Sequence, residues 1–180
     1  MEKGVFKKHE SARILITGPE STGKTDLARL LAGHFRGTCV EEYARRYIED
    51  LGRPYTYDDV EHIARQQVRE YEGNKENKGW VIFDTWLILT RVWFRIKYGR
   101  QPAWIDDNIM RADFDLVLLC APDIPWIPDP VRENGGEKRT ELFHLYQQEL
   151  DHFEMNRAIV SGSGEDRFRN ALKLINKQLH

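Results

Sequence analysis

The stretch ILITGPESTGKTDLARLL, residues 14–31, leaves little freedom to the fold around it. Four β-type residues run into Gly18-Pro19-Glu20-Ser21-Thr22-Gly23-Lys24-Thr25, which fits G-x-x-x-x-G-K-[ST] without a mismatch. The residues that follow place Leu27, Leu30 and Leu31 at helical spacing. A strand, a Gly-rich turn and a helix in that order are the setting in which this P-loop pattern binds phosphate. Gly18 and Gly23 let the backbone curl so that successive N–H groups point at phosphate oxygens. The helix N-terminus adds its partial positive charge. On this reading Gly18, Glu20, Ser21, Thr22, Gly23, Lys24 and Thr25 cradle ATP, with Lys24 on the β and γ phosphates and the Thr25 hydroxyl on Mg²⁺.

A phosphate loop requires a sheet to hold it, and the rest of the chain supplies one. Apolar, β-branched runs at 13–17, 38–41, 80–84, 115–120 and 157–161 have the character of buried parallel strands. Segments with helical periodicity lie at 25–35, 57–71, 85–98, 141–155 and 165–179. Asp58 and Asp59 mark one helix start and Gly99 marks a helix stop. Strand and helix alternating five times predict a three-layer α/β fold: a five-stranded parallel sheet flanked by helices, formed by one domain over 13–180 after a loose tail at 1–12. The one long stretch without periodicity, 121–140, holds four of the seven prolines and Gly135-Gly136, and a loop of that length is usually functional.

Open α/β sheets bind ligands at the C-terminal edge of their strands. Two further strands deliver acids there. VIFDTW ends in Asp84, a candidate for holding Mg²⁺ or for taking the acceptor proton, with capping of the next helix as the alternative. CVEEYARRY ends in Glu41 and Glu42, of which only one is expected to face the site, because adjacent strand residues point opposite ways. Arg132 and Arg139, in the proline-rich stretch, have the place of a lid that brings positive charge to a migrating phosphoryl group and excludes water. Tyr43, Tyr55, Tyr57, Trp86, Trp126 and Gln66 or Gln67 complete the candidate acceptor pocket, although packing is the better reading for Trp86, Trp93 and Phe94, which sit at core-like helical spacing. The Ser161-Gly162-Ser163-Gly164 turn after the last strand is a candidate for the adenine side.

Composition narrows the partners. A net charge of −2 gives no general attraction to nucleic acid or an anionic membrane, so neither is expected as a partner. The chain contains no apolar run of the roughly 20 residues needed to cross a bilayer, and MEKGVFKKHESAR lacks the apolar stretch of a signal peptide. A cytoplasmic location is the expectation. Cys39 and Cys120 fit neither a metal spacing nor a disulfide framework and read as buried thiols. The six histidines form no ligand-spaced pair, which leaves Thr25 and Asp84 as the metal-binding candidates.

Taken together, GPESTGKT, EEYARRYIE, YDDVEHIARQQ, VIFDTW and DIPWIPDPVRENGGEKRTELF resemble the ribosylnicotinamide kinase domain of NadR-type NAD-salvage proteins, from about residue 13 to 179. The resemblance implies a nucleoside-kinase-like P-loop fold and transfer of the ATP γ-phosphate to the 5′-hydroxyl of nicotinamide riboside, giving nicotinamide mononucleotide. Gly18, Gly23, Lys24 and Thr25 match the family's phosphate loop, Asp84 its acid after the third strand, and Arg132 and Arg139 its lid arginines. DTW stands where the family usually has DTD, so Trp86 replaces a second acid. The DNA-binding segment and adenylyltransferase domain of the best-known members are not expected in a chain of 180 residues. Two other readings stand beside this one: an ATP-hydrolysing switch without a small acceptor, and a kinase for another nucleoside or a nucleoside monophosphate. An N-K-x-D guanine signature is absent from the sequence.

Overall fold

Every strand predicted from apolar runs is present in the computed structural model, which describes residues 11–127 and 137–179. In chain order the elements are β1 (Ala12–Thr17), α1 (Lys24–Phe35), β2 (Thr38–Val40), α2 (Tyr43–Asp50), α3 (Tyr57–Asn74), β3 (Trp80–Asp84), α4 (Leu87–Tyr98), α5 (Ala103–Arg111), β4 (Leu116–Cys120), α6 (Lys138–His152), β5 (Arg157–Val160) and α7 (Gly164–Leu179). The strands form one parallel sheet in the order β2-β3-β1-β4-β5. The chain leaves β1 at the point where the strand order reverses, between β3 on one side and β4 on the other, which is where such sheets open a crevice.

Alternation along the strands sorts the core into two layers. Leu15, Phe83, Val117 and Leu119 face one side and pack with α3, α4, α5 and α6. Ile14, Ile16, Ile82, Leu116 and Leu118 face the other and pack with α1 and α7. Two helices were not predicted. α2 buries only Ala44, so it has no apolar stripe to reveal it. α5 carries Ile105 and Ile109 inward after Pro102 at its N-cap, a spacing and a start signal that were legible. Conversely, α6 begins three residues earlier than its apolar pattern, at Lys138.

The α4–α5–α6 layer contains a buried ionic joint. Glu149 on α6 is 2% exposed and pairs with both Arg91 and Arg95 of α4, while Arg91 also donates to Asp106 of α5 at 2.7 Å. Removing one member of a buried pair leaves an uncompensated charge. Glu149→Ala is therefore expected to lower unfolding free energy in urea by about 3–5 kcal/mol. Arg95→Ala, which removes a half-exposed partner, is expected to cost at most about 1 kcal/mol. Equal losses for the two variants would contradict this account of the joint.

Candidate active site

The phosphate loop is built by close approach of backbones. Gly18 has φ +137°, and a Cβ there would lie 2.8 Å from the Cys120 carbonyl oxygen, so only glycine fits against the end of β4. Within the loop the Thr22 hydroxyl donates to the Pro19 carbonyl at 2.9 Å, and Lys24 Nζ donates to the same oxygen at 2.7 Å. Ser21, at φ +55°, accepts from the Ile127 backbone N–H at 3.0 Å, so the chain leaving β4 touches the loop directly. No side chain caps α1, which begins at Lys24 and points its positive end into the loop.

Asp84 reaches this loop from β3, whose Asp84 aligns with Ile16 of β1. The Thr25 hydroxyl donates to Asp84 Oδ2 at 2.6 Å, while Oδ1 is buried without a hydrogen-bond partner among the described residues. Burial, opposed by the Thr25 hydrogen bond and the Lys24 charge, raises the carboxyl above the usual aspartate range. Asp84 does not cap α4, whose N-cap is Trp86 with no side-chain cap. A hydroxyl beside a half-satisfied carboxylate is an oxygen donor set that suits Mg²⁺, which is commonly held by one or two protein oxygens together with phosphate and water. Among the described residues no group of three or more His, Cys, Asp or Glu is placed to hold a metal. Thr85, next in the chain, sits at φ +67°, strain of the kind that gathers at functional turns.

A cavity of about 520 Å³ opens from the phosphate loop, lined at that end by Gly18, Glu20, Ser21, Thr22, Gly23, Lys24 and Thr25. Glu42, at the N-cap of α2, faces into it. Burial pushes the Glu42 carboxyl up, Lys24 pulls it back, and Asp84 and Glu20 push it further. Glu41 points away: it is exposed and paired with Arg29 at 3.0 Å. The far end of the cavity is apolar and aromatic, walled by Ile48 of α2, Tyr55, Leu89, Val92, Trp93 and Ile96 of α4, and Leu142 and Tyr146 of α6, with Arg45 and Lys97 alongside. Trp93 Nε1 donates to the Tyr55 hydroxyl at 3.1 Å, and the two rings meet edge to face.

The other predicted residues lie elsewhere. Trp86 is buried in the core and donates its indole N–H to the Gln67 carbonyl at 3.0 Å; Gln67 is also buried, its Oε1 accepting from Thr90. The strained backbone at Thr85 precedes a Trp86 that packs against Tyr71 and Phe114, so neither Trp86 nor Gln67 is on the cavity wall. Tyr43 pairs with His62 at 3.0 Å beside a separate, smaller depression. Trp126 is half-buried on the segment after β4 and does not line the cavity. Arg139 is buried and donates to the Ile124 carbonyl at 2.7 Å; burial and the neighbouring Arg167 hold its guanidinium below the usual arginine range. Arg132 lies outside the described residues, as do residues 128–136 of the proline-rich segment. The far wall escaped the sequence reading because Leu142, Tyr146, Val92 and Ile96 look like ordinary helix-face residues.

Comparison with known proteins agrees with this architecture. Residues 13–167 match the protein family described as "AAA domain". The "Trifunctional NAD biosynthesis/regulator protein NadR" of Escherichia coli (strain K12) is 29% identical over 175 residues, which cover 92% of this chain and 42% of that protein. Solved structures of NadR, one in complex with NR and one with NAD and AMP-PNP, superpose with TM-scores of 0.78 and 0.75 at 26% identity, covering 94% of this chain and about half of theirs. A deoxyadenosine kinase from M. mycoides shares the fold with a TM-score of 0.66 at 15% identity, covering 92% of this chain and 99% of its own. The fold is that of P-loop nucleoside kinases, and the likeness to NadR-type proteins extends over nearly the whole sequence. The chain belongs to the AAA-domain family and is homologous to NadR.

Proposed function

We propose that this chain is an ATP- and Mg²⁺-dependent nucleoside kinase that phosphorylates the 5′-hydroxyl of nicotinamide riboside. One observation carries the reading: a single cavity joins the phosphate loop, the Glu42 carboxylate and an aromatic far end. That is the order triphosphate, acceptor hydroxyl, planar base. Homology to NadR, which has been seen with NR and with AMP-PNP, supports both the donor and the acceptor.

In this reading Gly18, Glu20, Ser21, Thr22 and Gly23 hold the phosphates, and Lys24 leaves the Pro19 carbonyl to meet the β and γ oxygens. Thr25 and Asp84 hold Mg²⁺, which when bound neutralises charge on the transferring group. Glu42 accepts the 5′-hydroxyl proton as the oxygen attacks the γ-phosphorus and the bond to the ADP leaving oxygen breaks in line. Tyr55 and Trp93 flank the base. Arg139 steadies the segment leaving β4 through Ile124, and Arg132 takes the place of a lid arginine by resemblance alone.

The test is acceptor dependence. Purified protein with Mg·ATP is expected to release ADP in step with formation of phosphorylated nicotinamide riboside. ADP release that is indifferent to any acceptor would replace the kinase reading with an ATP-hydrolysing switch. Faster turnover of another nucleoside or a nucleoside monophosphate would move the acceptor assignment and leave the reaction type in place.

A further inference from the structure

Arg167 is a charged residue with almost no solvent. It sits in the first turn of α7 and is 3% exposed. Its Nε donates to the Gly162 carbonyl at 2.7 Å, and Nη2 donates to the Ala121 carbonyl at 3.1 Å and to Asp123 Oδ1. The other Asp123 oxygen accepts from the Gly162 backbone N–H at 2.6 Å. The turn after β5 is thus bonded to both members of one ion pair. On the opposite side, a Cβ at Gly23 would meet Arg167 Cδ at 4.0 Å and Ile124 Cδ1 at 3.7 Å, so the Arg167 stem packs behind the phosphate loop. Ile124 is itself held through its carbonyl by Arg139. Nη1 is buried and has no hydrogen-bond partner among the described residues.

Three segments distant in sequence meet at this side chain: the exit of β4 at 121–124 and the turn at Gly162 at its guanidinium, and the phosphate loop at Gly23 along its stem. Burying an arginine is costly unless carboxylate and carbonyl acceptors compensate, and a planar fork reaches several such acceptors where an ammonium reaches one point. Gly162 is fitted to the arrangement: it has φ +93°, and a Cβ there would come within 3.3 Å of the Arg167 backbone nitrogen. Nothing in phosphate binding itself requires this junction, since the loop's own contacts through Thr22 and Lys24 close on Pro19.

We infer that Arg167, with Asp123, is a positioning residue that sets the base side of the nucleotide site, registering the Gly162 turn against the phosphate loop so that purine and triphosphate are gripped together. The inference rests on the reading of the phosphate loop as the ATP end of the cavity and of the turn after β5 as the adenine side. Arg167 need not touch the nucleotide; it fixes where the Gly162 turn, the candidate for the adenine side, stands relative to the phosphate loop.

Calorimetric binding separates the two contributions without any turnover. Mg·ATP and Mg·tripolyphosphate, which lacks a base, are titrated into wild-type protein, Arg167→Lys and Asp123→Asn. Both variants are expected to lose about tenfold or more in ATP affinity, as for loss of a charge-assisted hydrogen bond. Tripolyphosphate affinity and the acceptor KM are expected to stay within about twofold. ATP and tripolyphosphate weakened equally would make Arg167 a prop of the phosphate loop alone, and no change in either would reduce it to core filling; both results overturn the inference. Asp123→Asn keeps the side-chain shape and the buried guanidinium, so it decides the matter if Arg167→Lys does not fold. Failure of the wild-type protein to bind either probe would instead remove the ATP reading on which the inference depends.

Discussion

Asp84→Asn is expected to lower kcat by about 10³-fold, the equivalent of roughly 4 kcal/mol of charge stabilisation on the transferring group. The expectation follows from where the carboxylate stands: one oxygen accepts from Thr25 and the other is buried with no partner among the described residues. Asparagine keeps the acceptor for Thr25 and loses the charge that Mg²⁺ needs. The effect on stability has the opposite sign. Burial raises the Asp84 pKa, so the folded state favours the protonated form; this contribution is fully present below the unfolded pKa and is lost as pH rises through the folded value. At neutral pH the ionised carboxylate is therefore a net cost, and the nucleotide-free Asp84→Asn protein is expected to melt no lower than wild type. Added Mg·ATP is expected to raise the wild-type melting temperature and to raise that of the variant far less. A variant that loses activity because it unfolds at neutral pH would show that Asp84 is structural rather than part of the transfer machinery.

The donor half of this site was readable because it is local. Eight consecutive residues carry the phosphate-loop pattern, and the strand before them and helix after them are adjacent in sequence. The sheet was readable for a related reason: strands buried on both faces appear as short apolar runs, as Leu116–Cys120 does. The proposed acceptor half is assembled differently. Its wall comes from Ile48, Tyr55, Trp93 and Tyr146, which only the crossover topology brings to one cavity. Trp86 lies nearer in sequence to Asp84 than Trp93 does and stands among the pocket candidates for that reason, although packing is the stronger expectation for both. The structure buries Trp86 against Tyr71 and Phe114 and turns Trp93, about two helical turns further on, to the cavity. Both readings of an aromatic on a helix after a strand, packing and binding, are thus realised within α4, and no local pattern distinguishes them.

Arg167 illustrates a second limit. In the sequence it is one charge among several in GEDRFRN, at a helix start where charged residues are common. Its burial follows from tertiary partners, Ala121, Asp123 and Gly162, that lie 46, 44 and 5 residues away. The pair Glu41 and Glu42 was a milder case. Strand alternation limited the choice to one of them: Glu41 is exposed, paired with Arg29 and off the cavity wall, while Glu42 lines the cavity with Lys24.

Glu42→Gln is expected to lower kcat by about 10²–10⁴-fold while leaving the KM for ATP nearly unchanged, the usual range for removing a positioned proton acceptor. The glutamine keeps the shape at the N-cap of α2 and cannot take the 5′-hydroxyl proton. Wild-type kcat is expected to rise with pH through a Glu42 pKa lifted above the ordinary glutamate range by burial, and this limb is expected to vanish from the residual activity of the variant. The stability sign mirrors that of Asp84. A raised folded pKa means the stabilising contribution is complete below the unfolded value, about pH 4, and is lost as the Glu42 carboxyl ionises. Neutral Glu42→Gln is therefore expected to melt at or above the wild-type temperature at pH 7, with the two converging as the pH falls toward 4. Lys24 sets the size of that gap, since its charge already offsets part of the cost of ionising Glu42. A site whose two acids, buried Asp84 and half-buried Glu42, each cost stability when ionised gains most from a bound cation and triphosphate. An unchanged acid limb in Glu42→Gln, with loss of kcat, would assign the proton to Asp84 and leave Glu42 as a contact for the acceptor sugar.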